Sequence, residues 1–305
     1  MPRISIGLPV FNGERYIAAT IESLISQSFT DIEIIICDNA STDGTETICR
    51  SFMSKDSRIR YYRNTCNLGP AVNFNLSFKL SRGEYFKWAA HDDLCAPDFL
   101  TRCIEVLDRN IGTMLAYPKV MIIGADGKEI EPYDFKLPTD SQNPVERFNA
   151  LLRGHKCFEV FGLIRRDALL KTRLIGAHAH GDGVLLSQLA LLGRFEEIPE
   201  YLLFSRRHAY QSMALMEERT GSPTSEEYRR YAVWFDPKLK NRMISPYWRI
   251  FFEYFRSIYF SPIALRERIS CYQGLKRWMY RKRYLLSSEI VFHIHRMLNL
   301  TPKKA

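Results

Sequence analysis

No two of the seven cysteines stand at Cys-x-x-Cys spacing, their number is odd, and they scatter from Cys37 to Cys271. That pattern speaks against a disulfide framework or a structural zinc ribbon, and a reduced, cytoplasmic setting is expected. Long apolar runs are missing as well. The opening Ile4–Leu8 stretch stops at Pro9, too short for a signal-peptide core or a membrane span. There is no Gly-x-Gly-x-x-Gly after this stretch and no Gly-x-x-x-x-Gly-Lys-Ser/Thr, which sets aside dinucleotide-binding and P-loop chemistry. Internal repeats and low-complexity tracts are also lacking. Acidic residues are scarce at one end only. From Lys238 to Ala305 there are 15 Lys plus Arg against 3 acids, whereas residues 1–237 hold 28 against 31. The net charge of +9 therefore belongs to the tail, and nucleic-acid binding is not expected of the main body.

What is present is a 305-residue chain, 46% hydrophobic and 25% charged, enough for a sizeable core. Apolar patterning alternates between two periods. Ile4–Leu8, Ile32–Cys37, Ile59–Tyr62 and Tyr85–Ala89 read as buried strands. Glu14–Ser26, with Ile17, Ile21, Leu24 and Ile25 on one face, reads as a helix, as do Pro70–Ser81, opened by its proline, and Pro97–Asp108. Asp43, with Glu46 three residues on, has the look of a capping box. This βαβαβαβ order predicts an α/β fold with a mostly parallel sheet flanked by helices, whose ligands bind at the carboxyl ends of the strands. Beyond it, Met114–Tyr117 and Val120–Ile123 read as two short strands followed by an Asp126-Gly127 turn, and Glu131–Pro144 as a surface loop or lid. Val184–Leu192 reads as an apolar helix and Tyr201–Phe204 as a further strand. The division expected is a body of residues 1–237 and a basic, aromatic-rich helical extension of residues 238–305.

Polar segments follow four of these strands: Pro9-Val10-Phe11-Asn12, Asp38-Asn39-Ala40-Ser41-Thr42-Asp43-Gly44-Thr45, Asn67-Leu68-Gly69 and His91-Asp92-Asp93. Any one of them reads as a turn or a cap; together they converge on one sheet edge. In order and spacing they resemble the family 2 inverting glycosyltransferases of the GT-A fold, over roughly residues 3 to 210. One departure is that Asn39 stands where many relatives have a second aspartate, so either Asp38 or Asn39 is left to read the base.

That resemblance implies a nucleoside-diphosphate sugar donor, with a UDP-sugar the first candidate, and a glycan or lipid-linked glycan acceptor in cell-surface polysaccharide synthesis. It implies Mg²⁺ or Mn²⁺, since a cation held by carboxylates neutralises the charge that grows on the leaving diphosphate. Asp93 is expected to touch the metal and Asp92 to lie nearer the sugar or ribose, with His208 completing the metal shell. Pro9, Phe11, Asn12, Glu14, Asp38, Asn39 and Asn67 are expected around the nucleotide, Phe11 lying against the base or else in the core. Arg206 and Arg207, not separable by sequence, are expected to clamp the diphosphate or to form a solvated basic turn. Inverting transfer also needs a base for the acceptor hydroxyl. Asp182, in His180-Gly181-Asp182-Gly183 ahead of the apolar helix, fits that position, with Glu159 the alternative and a plain helix cap the bland reading. The rival from another class is a catalytically silent nucleotide-sugar binding module; Asp93 and Asp182 speak against it.

In the tail, Trp248, Phe251, Phe252, Phe255 and Tyr259 recur at helical spacing, and Lys276–Tyr284 mixes aromatics with cations. Two readings stand. Either the stripe packs on the body with its charges solvated, or it lies on the anionic inner face of a membrane as a peripheral contact.

Overall fold

The computed structural model describes residues 1–209, 225–240 and 242–298. Its centre is formed by strands whose residues are buried along their whole length. β1 (Ile4–Val10) and β2 (Ile32–Asp38) are covered on both faces, which is why they read as unbroken apolar runs rather than alternating ones. β3 (Ile59–Arg63) lies parallel to β2, and β4 (Tyr85–Trp88) parallel to β1 on its other side. With β5 (Leu94–Cys95), β6 (Thr113–Ile123), β7 (Glu129–Tyr133), β8 (Leu163–Arg165) and β9 (Arg194–Arg206), the sheet order is β3-β2-β1-β4-β8-β6-β9-β5, with β7 paired to β6. β8 runs antiparallel between β4 and β6. The sheet is thus parallel at one end and mixed at the other.

The connecting helices α1 (Ile17–Ile25), α2 (Thr45–Lys55), α3 (Pro70–Lys79) and α4 (Phe99–Arg109) complete the alternation. α1 starts three residues later than Glu14 because Tyr16 and Ile17 donate back to Gly13 O, making a turn of residues 14–16. The capping-box expectation at α2 is corrected. Asp43 Oδ1 does accept from Thr45 N–H, but Glu46 pairs with Arg50 and Arg63 instead of reaching back.

Two further expectations are corrected at the mixed end. Thr113–Ile123 is one continuous strand, β6, and Pro118 sits within it where its register with β9 (Arg194–Arg206) shifts; a proline is accommodated where the ladder is already irregular. The supposed lid begins as a strand, since Glu129–Tyr133 is β7, hairpinned to β6 across Asp126-Gly127 with Gly127 at φ 84°. Its residues are almost all exposed, so no burial signal marked it. Leu137 and Thr139 farther along are buried, and Phe195 N–H donates to Thr139 O.

The C-terminal helices are α8 (Ser225–Phe235), α9 (Pro246–Phe260), α10 (Leu265–Arg281) and α11 (Arg283–Met297), after α5 (Pro144–Leu151), α6 (Arg166–Leu170) and α7 (Gly181–Leu192) of the body. Tyr247, Ile250, Tyr254 and Ile258 of α9 share a core with Phe148 of α5 and Val184 and Leu191 of α7, joined by Leu275 and Trp278 of α10. The extension therefore shares its core with the body. Glu289 of α11, fully buried, accepts from Tyr247 N–H (3.0 Å) and Trp248 N–H (3.3 Å), satisfying the open amides at the start of α9.

Candidate active site

With β1 flanked by β2 on one side and β4 on the other, the loops leaving their carboxyl ends open into one crevice, the place where ligands bind in sheets of this kind. The loops after β1 and β2 are laced together. Asn12, at φ 51°, accepts from Thr42 N–H (2.8 Å) and donates its own N–H to Ser41 Oγ (2.9 Å). Glu14 accepts from Gly44 N–H (2.7 Å), and Gly13 N–H donates to Thr45 Oγ1 (2.8 Å). Pro9 is buried inside β1, opposite Cys37. Phe11 is 43% exposed and so does not belong to the core.

Asp38 and Asn39 divide along a line the sequence leaves open. Asp38 is fully buried: Oδ1 accepts from Ser41 N–H (2.8 Å), Oδ2 from the Tyr61 hydroxyl (2.6 Å), and Arg63 Nε lies 3.5 Å away. Burial, with the hydrogen bond to Asp38, pushes the Tyr61 phenol far above its ordinary range. Asn39 is the hub of an amide network. It donates to Asn67 Oδ1 (2.8 Å) and accepts from Asn64 Nδ2 (3.0 Å) and Leu68 N–H (2.9 Å). Asn67 Oδ1 also takes Gly69 N–H (2.9 Å). Gly69 opens α3 at φ 83°, a conformation that favours glycine, and a side chain there would meet Phe235 O at 2.8 Å. An asparagine at 39 suits this loop because it both donates and accepts.

At the end of β4 the two aspartates point to different neighbours. Asp92 Oδ2 lies 2.9 Å from His208 Nε2, and the Tyr16 ring covers the imidazole at 4.8 Å between centroids. Burial pushes the Asp92 carboxyl up, but the His208 hydrogen bond and the charges of His91 and His208 outweigh it and hold it below its ordinary range. Asp93 is buried and its Oδ1 accepts from Arg206 N–H (2.9 Å). Burial and then the Asp92 charge push its carboxyl well above the usual carboxylate range. His208, expected to share a metal with Asp93, meets Asp92.

Arg206 is turned inward. Its guanidinium donates to Asp92 O (2.9 Å), Gly124 O (3.1 Å) and Ala125 O (3.3 Å), and stacks on the Tyr16 ring. It locks the aspartate loop to the β6–β7 hairpin, with its fork filled by carbonyls. Arg207 is turned toward the surface and pairs with Glu131 at 2.9 Å. For a divalent cation, the donors are a carboxylate oxygen and an imidazole nitrogen side by side. The carboxylate oxygen suits a hard cation such as Mn²⁺ or Mg²⁺, which keeps waters among its other ligands.

Asp182 opens α7 in a second cluster. Its Oδ1 accepts from Gly183 N–H (2.8 Å) and lies 3.8 Å from His180 Nδ1. His180, at φ 64°, has its Nε2 2.9 Å from the Tyr254 hydroxyl of α9. Gly183 is glycine for a steric reason: a Cβ would stand 2.2 Å from the His180 ring. Burial drives the His180 imidazole down to about 4, so it is neutral at pH 7. Glu159 is buried in the 3-10 turn Phe158–Phe161, which touches both β4 and α7. Burial holds its carboxyl above the ordinary range. Sequence reasoning missed Cys157 and Tyr254 as members of this cluster; one is a lone cysteine and the other lies in the tail, and only the fold joins them.

The family model for Glycosyl transferase family 2 matches residues 5–172. A glycosyltransferase of Rickettsia typhi, described as uncharacterized, is 37% identical over 108 residues. That match covers 35% of this chain and only 33% of the Rickettsia protein. Among solved structures, S. aureus TarS 1–349 in complex with UDP-GlcNAc superimposes with a TM-score of 0.57 at 17% identity, over 91% of this chain and 80% of that one. The mannosyltransferase PcManGT of Pyrobaculum calidifontis, in complex with GDP-Man and Mn²⁺, gives 0.53 at 14% identity, over 99% and 81%. At such identities the likeness is one of fold. The family match spans more than half of the chain and agrees with the gathering of polar loops after β1, β2 and β4, so the chain belongs to glycosyl transferase family 2 and has a GT-A-like fold.

Proposed function

We propose that the protein transfers a sugar from a nucleoside-diphosphate donor to a hydroxyl acceptor, with inversion at the anomeric carbon. The observation that carries this is the facing of Asp92 and His208 beyond the end of β4, with Tyr16 of the braced β1 loop packed on the imidazole. In this reading the exposed ring of Phe11 lies on the base, and the rigid Asn12–Ser41 and Asn39–Asn67 contacts shape the ribose side. Asp92 and His208 would hold Mg²⁺ or Mn²⁺, which supplies charge neutralisation for the departing diphosphate. Asp93 fixes the loop from below through Arg206, and Arg207 is the cation free to trade Glu131 for phosphate. Asp182 takes the proton from the acceptor hydroxyl as its oxygen attacks the anomeric carbon. The nucleoside diphosphate leaves from the opposite face, which gives inversion.

UDP-GlcNAc and GDP-Man are bound by TarS and PcManGT, and they make UDP- and GDP-sugars the first donors to test here. A thermal-shift panel of UDP, GDP, dTDP and CDP, each with and without Mn²⁺, tests the reading. A rise in Tm for one nucleotide that depends on Mn²⁺ is expected; no shift with any of them would count against it.

A second element of the proposal is peripheral contact with a membrane, with a lipid-linked glycan as acceptor. The stripe divides between the two readings: Trp248 and Phe251 are partly buried against the core shared with the body, and the other three face outward. α9 turns Tyr247, Ile250, Tyr254 and Ile258 inward and leaves Phe252, Phe255, Tyr259 (57%) and Phe260 (68%) exposed. Arg249 and Arg256 rim that face, and Arg283 stacks on exposed Tyr280 and Tyr284. No helix among the described residues is long and apolar enough to cross a membrane. Exposed aromatics set among cations suit contact with an anionic surface.

A further inference from the structure

The carboxylate proposed as acceptor base stands among ligand atoms, two of which glycosyl transfer does not require. Cys157 Sγ, an imidazole nitrogen of His180 and a carboxylate oxygen of Asp182 all lie within 4.8 Å of one another. Cys157 is buried and His180 and Asp182 half-buried, so the trio is partly shielded from solvent. The Tyr254 hydroxyl engages His180 at Nε2, which leaves Nδ1 turned toward Asp182, 3.8 Å away. A ligating histidine has this arrangement, one ring nitrogen fixed by an outer partner and the other presented inward. A second observation comes from the residues on either side of Cys157. His155 Nε2 and Glu159 Oε2 lie 3.7 Å apart, their side chains 1% and 7% exposed, and both atoms are buried without a hydrogen-bond partner. Buried polar atoms left open in this way call for an ion or a water beside them.

We propose that Cys157, His180 and Asp182 form a site for a thiophilic divalent cation of the Zn²⁺ class, and that its binding withdraws the Asp182 carboxylate from transfer. Sulfur, imidazole and carboxylate are the ligand types such an ion takes, whereas Mg²⁺ and Mn²⁺ favour oxygen. The two metals therefore sort to different places: the hard cation to Asp92 and His208, the soft one to the α7 cluster. The site acts as an off-switch responsive to free zinc. Only this inhibitory consequence rests on the assignment of Asp182 as base; the binding itself is independent of it.

The probe is Co²⁺, which reports thiolate ligation by a charge-transfer absorption band, titrated into the full-length chain carrying Cys66→Ser so that the exposed cysteine does not contribute. A thiolate band displaced by Zn²⁺ is expected. Cys157→Ser should abolish it and weaken Zn²⁺ binding at least about tenfold, with nucleotide binding unchanged as the check on folding; Cys157→Ala serves if the serine variant does not fold. At saturating Mn²⁺, Zn²⁺ should inhibit transfer by the parent and spare the Cys157 variant. Absence of a thiolate band, or a band that survives both Cys157 substitutions, overturns the site. A band without inhibition keeps the site and removes its regulatory role. Because the band is read without turnover, failure of the glycosyltransferase reading shows separately, as missing activity with the band intact.

Discussion

The Asp182 carboxylate accepts from Gly183 N–H and stands next to His180 at the start of α7, and the proposal adds to this the work of a base. The substitution Asp182→Asn keeps the side chain's shape and its acceptor oxygen but removes the proton acceptor. Donor affinity by calorimetry should stay within a small factor, while transfer falls by at least ~10²-fold, the lower end of general-base contributions. Near-normal turnover would mean that the residue only caps its helix, a role in which Asn serves as well. Residue types at the crevice were legible in the sequence; their partners were not. Asp38 and Asn39 are adjacent, yet one is spent on Tyr61 and Ser41 and the other on Asn64, Asn67 and Leu68. Arg206 and Arg207 likewise diverge, the first closing β9 with its side chain inward and the second standing just beyond the strand, a fact hidden until the extent of β9 is known.

At the scale of elements, the strands that sequence reveals are those buried on both faces. β1 and β2 announce themselves as continuous apolar runs, while the two residues of β5 and three of β8 are too short to show any period. β9 was legible only over its Tyr201–Phe204 stretch, because Arg194, Glu196, Glu197 and Glu200 interrupt the rest. One polar residue inside the apolar β2 carries a further expectation. Glu33 is buried and accepts from Ser5 Oγ (2.7 Å), Arg60 (2.9 Å) and Arg82 (3.1 Å), tying β1, β2, β3 and the turn before β4 together. Burial pushes its carboxyl up, but the bonds from Ser5, the Arg82 backbone, Arg60 and the Arg82 side chain outweigh this and hold it below 4.5. A depressed folded pKa means that the stabilisation is present above about pH 4.5 and is lost as the pH falls through the folded value. Denaturant titrations should show Glu33→Gln less stable at pH 7 by about 1–3 kcal/mol, with the gap to wild type closing in acid. A gap unchanged between pH 7 and pH 3 would remove the charge from the explanation.

For the whole molecule, the extension has one face in each of two environments. Tyr254 on the inner side of α9 touches His180 of the α7 cluster, and Phe252, Phe255 and Tyr259 on its outer side meet solvent. Composition alone located the charge in residues 238–305 but could not orient the stripe, since both faces of α9 are aromatic. Each cation near an anionic surface contributes about 1 kcal/mol, screened by salt. Sedimentation with anionic liposomes should therefore be salt-sensitive and weakened several-fold by Phe255→Ser with Tyr259→Ser, while neutral liposomes bind poorly. Equal binding by wild type and the double variant would assign the stripe no lipid contact.

The central claim, donor turnover at the crevice between β1, β2 and β4, is tested most directly by nucleoside diphosphate release from UDP- and GDP-sugars in Mn²⁺, comparing wild type with Asp92→Asn. The account predicts release from one donor class that EDTA suppresses and that falls at least about a hundredfold in Asp92→Asn, with the fold intact. Release that persists unchanged in EDTA and in Asp92→Asn would contradict it.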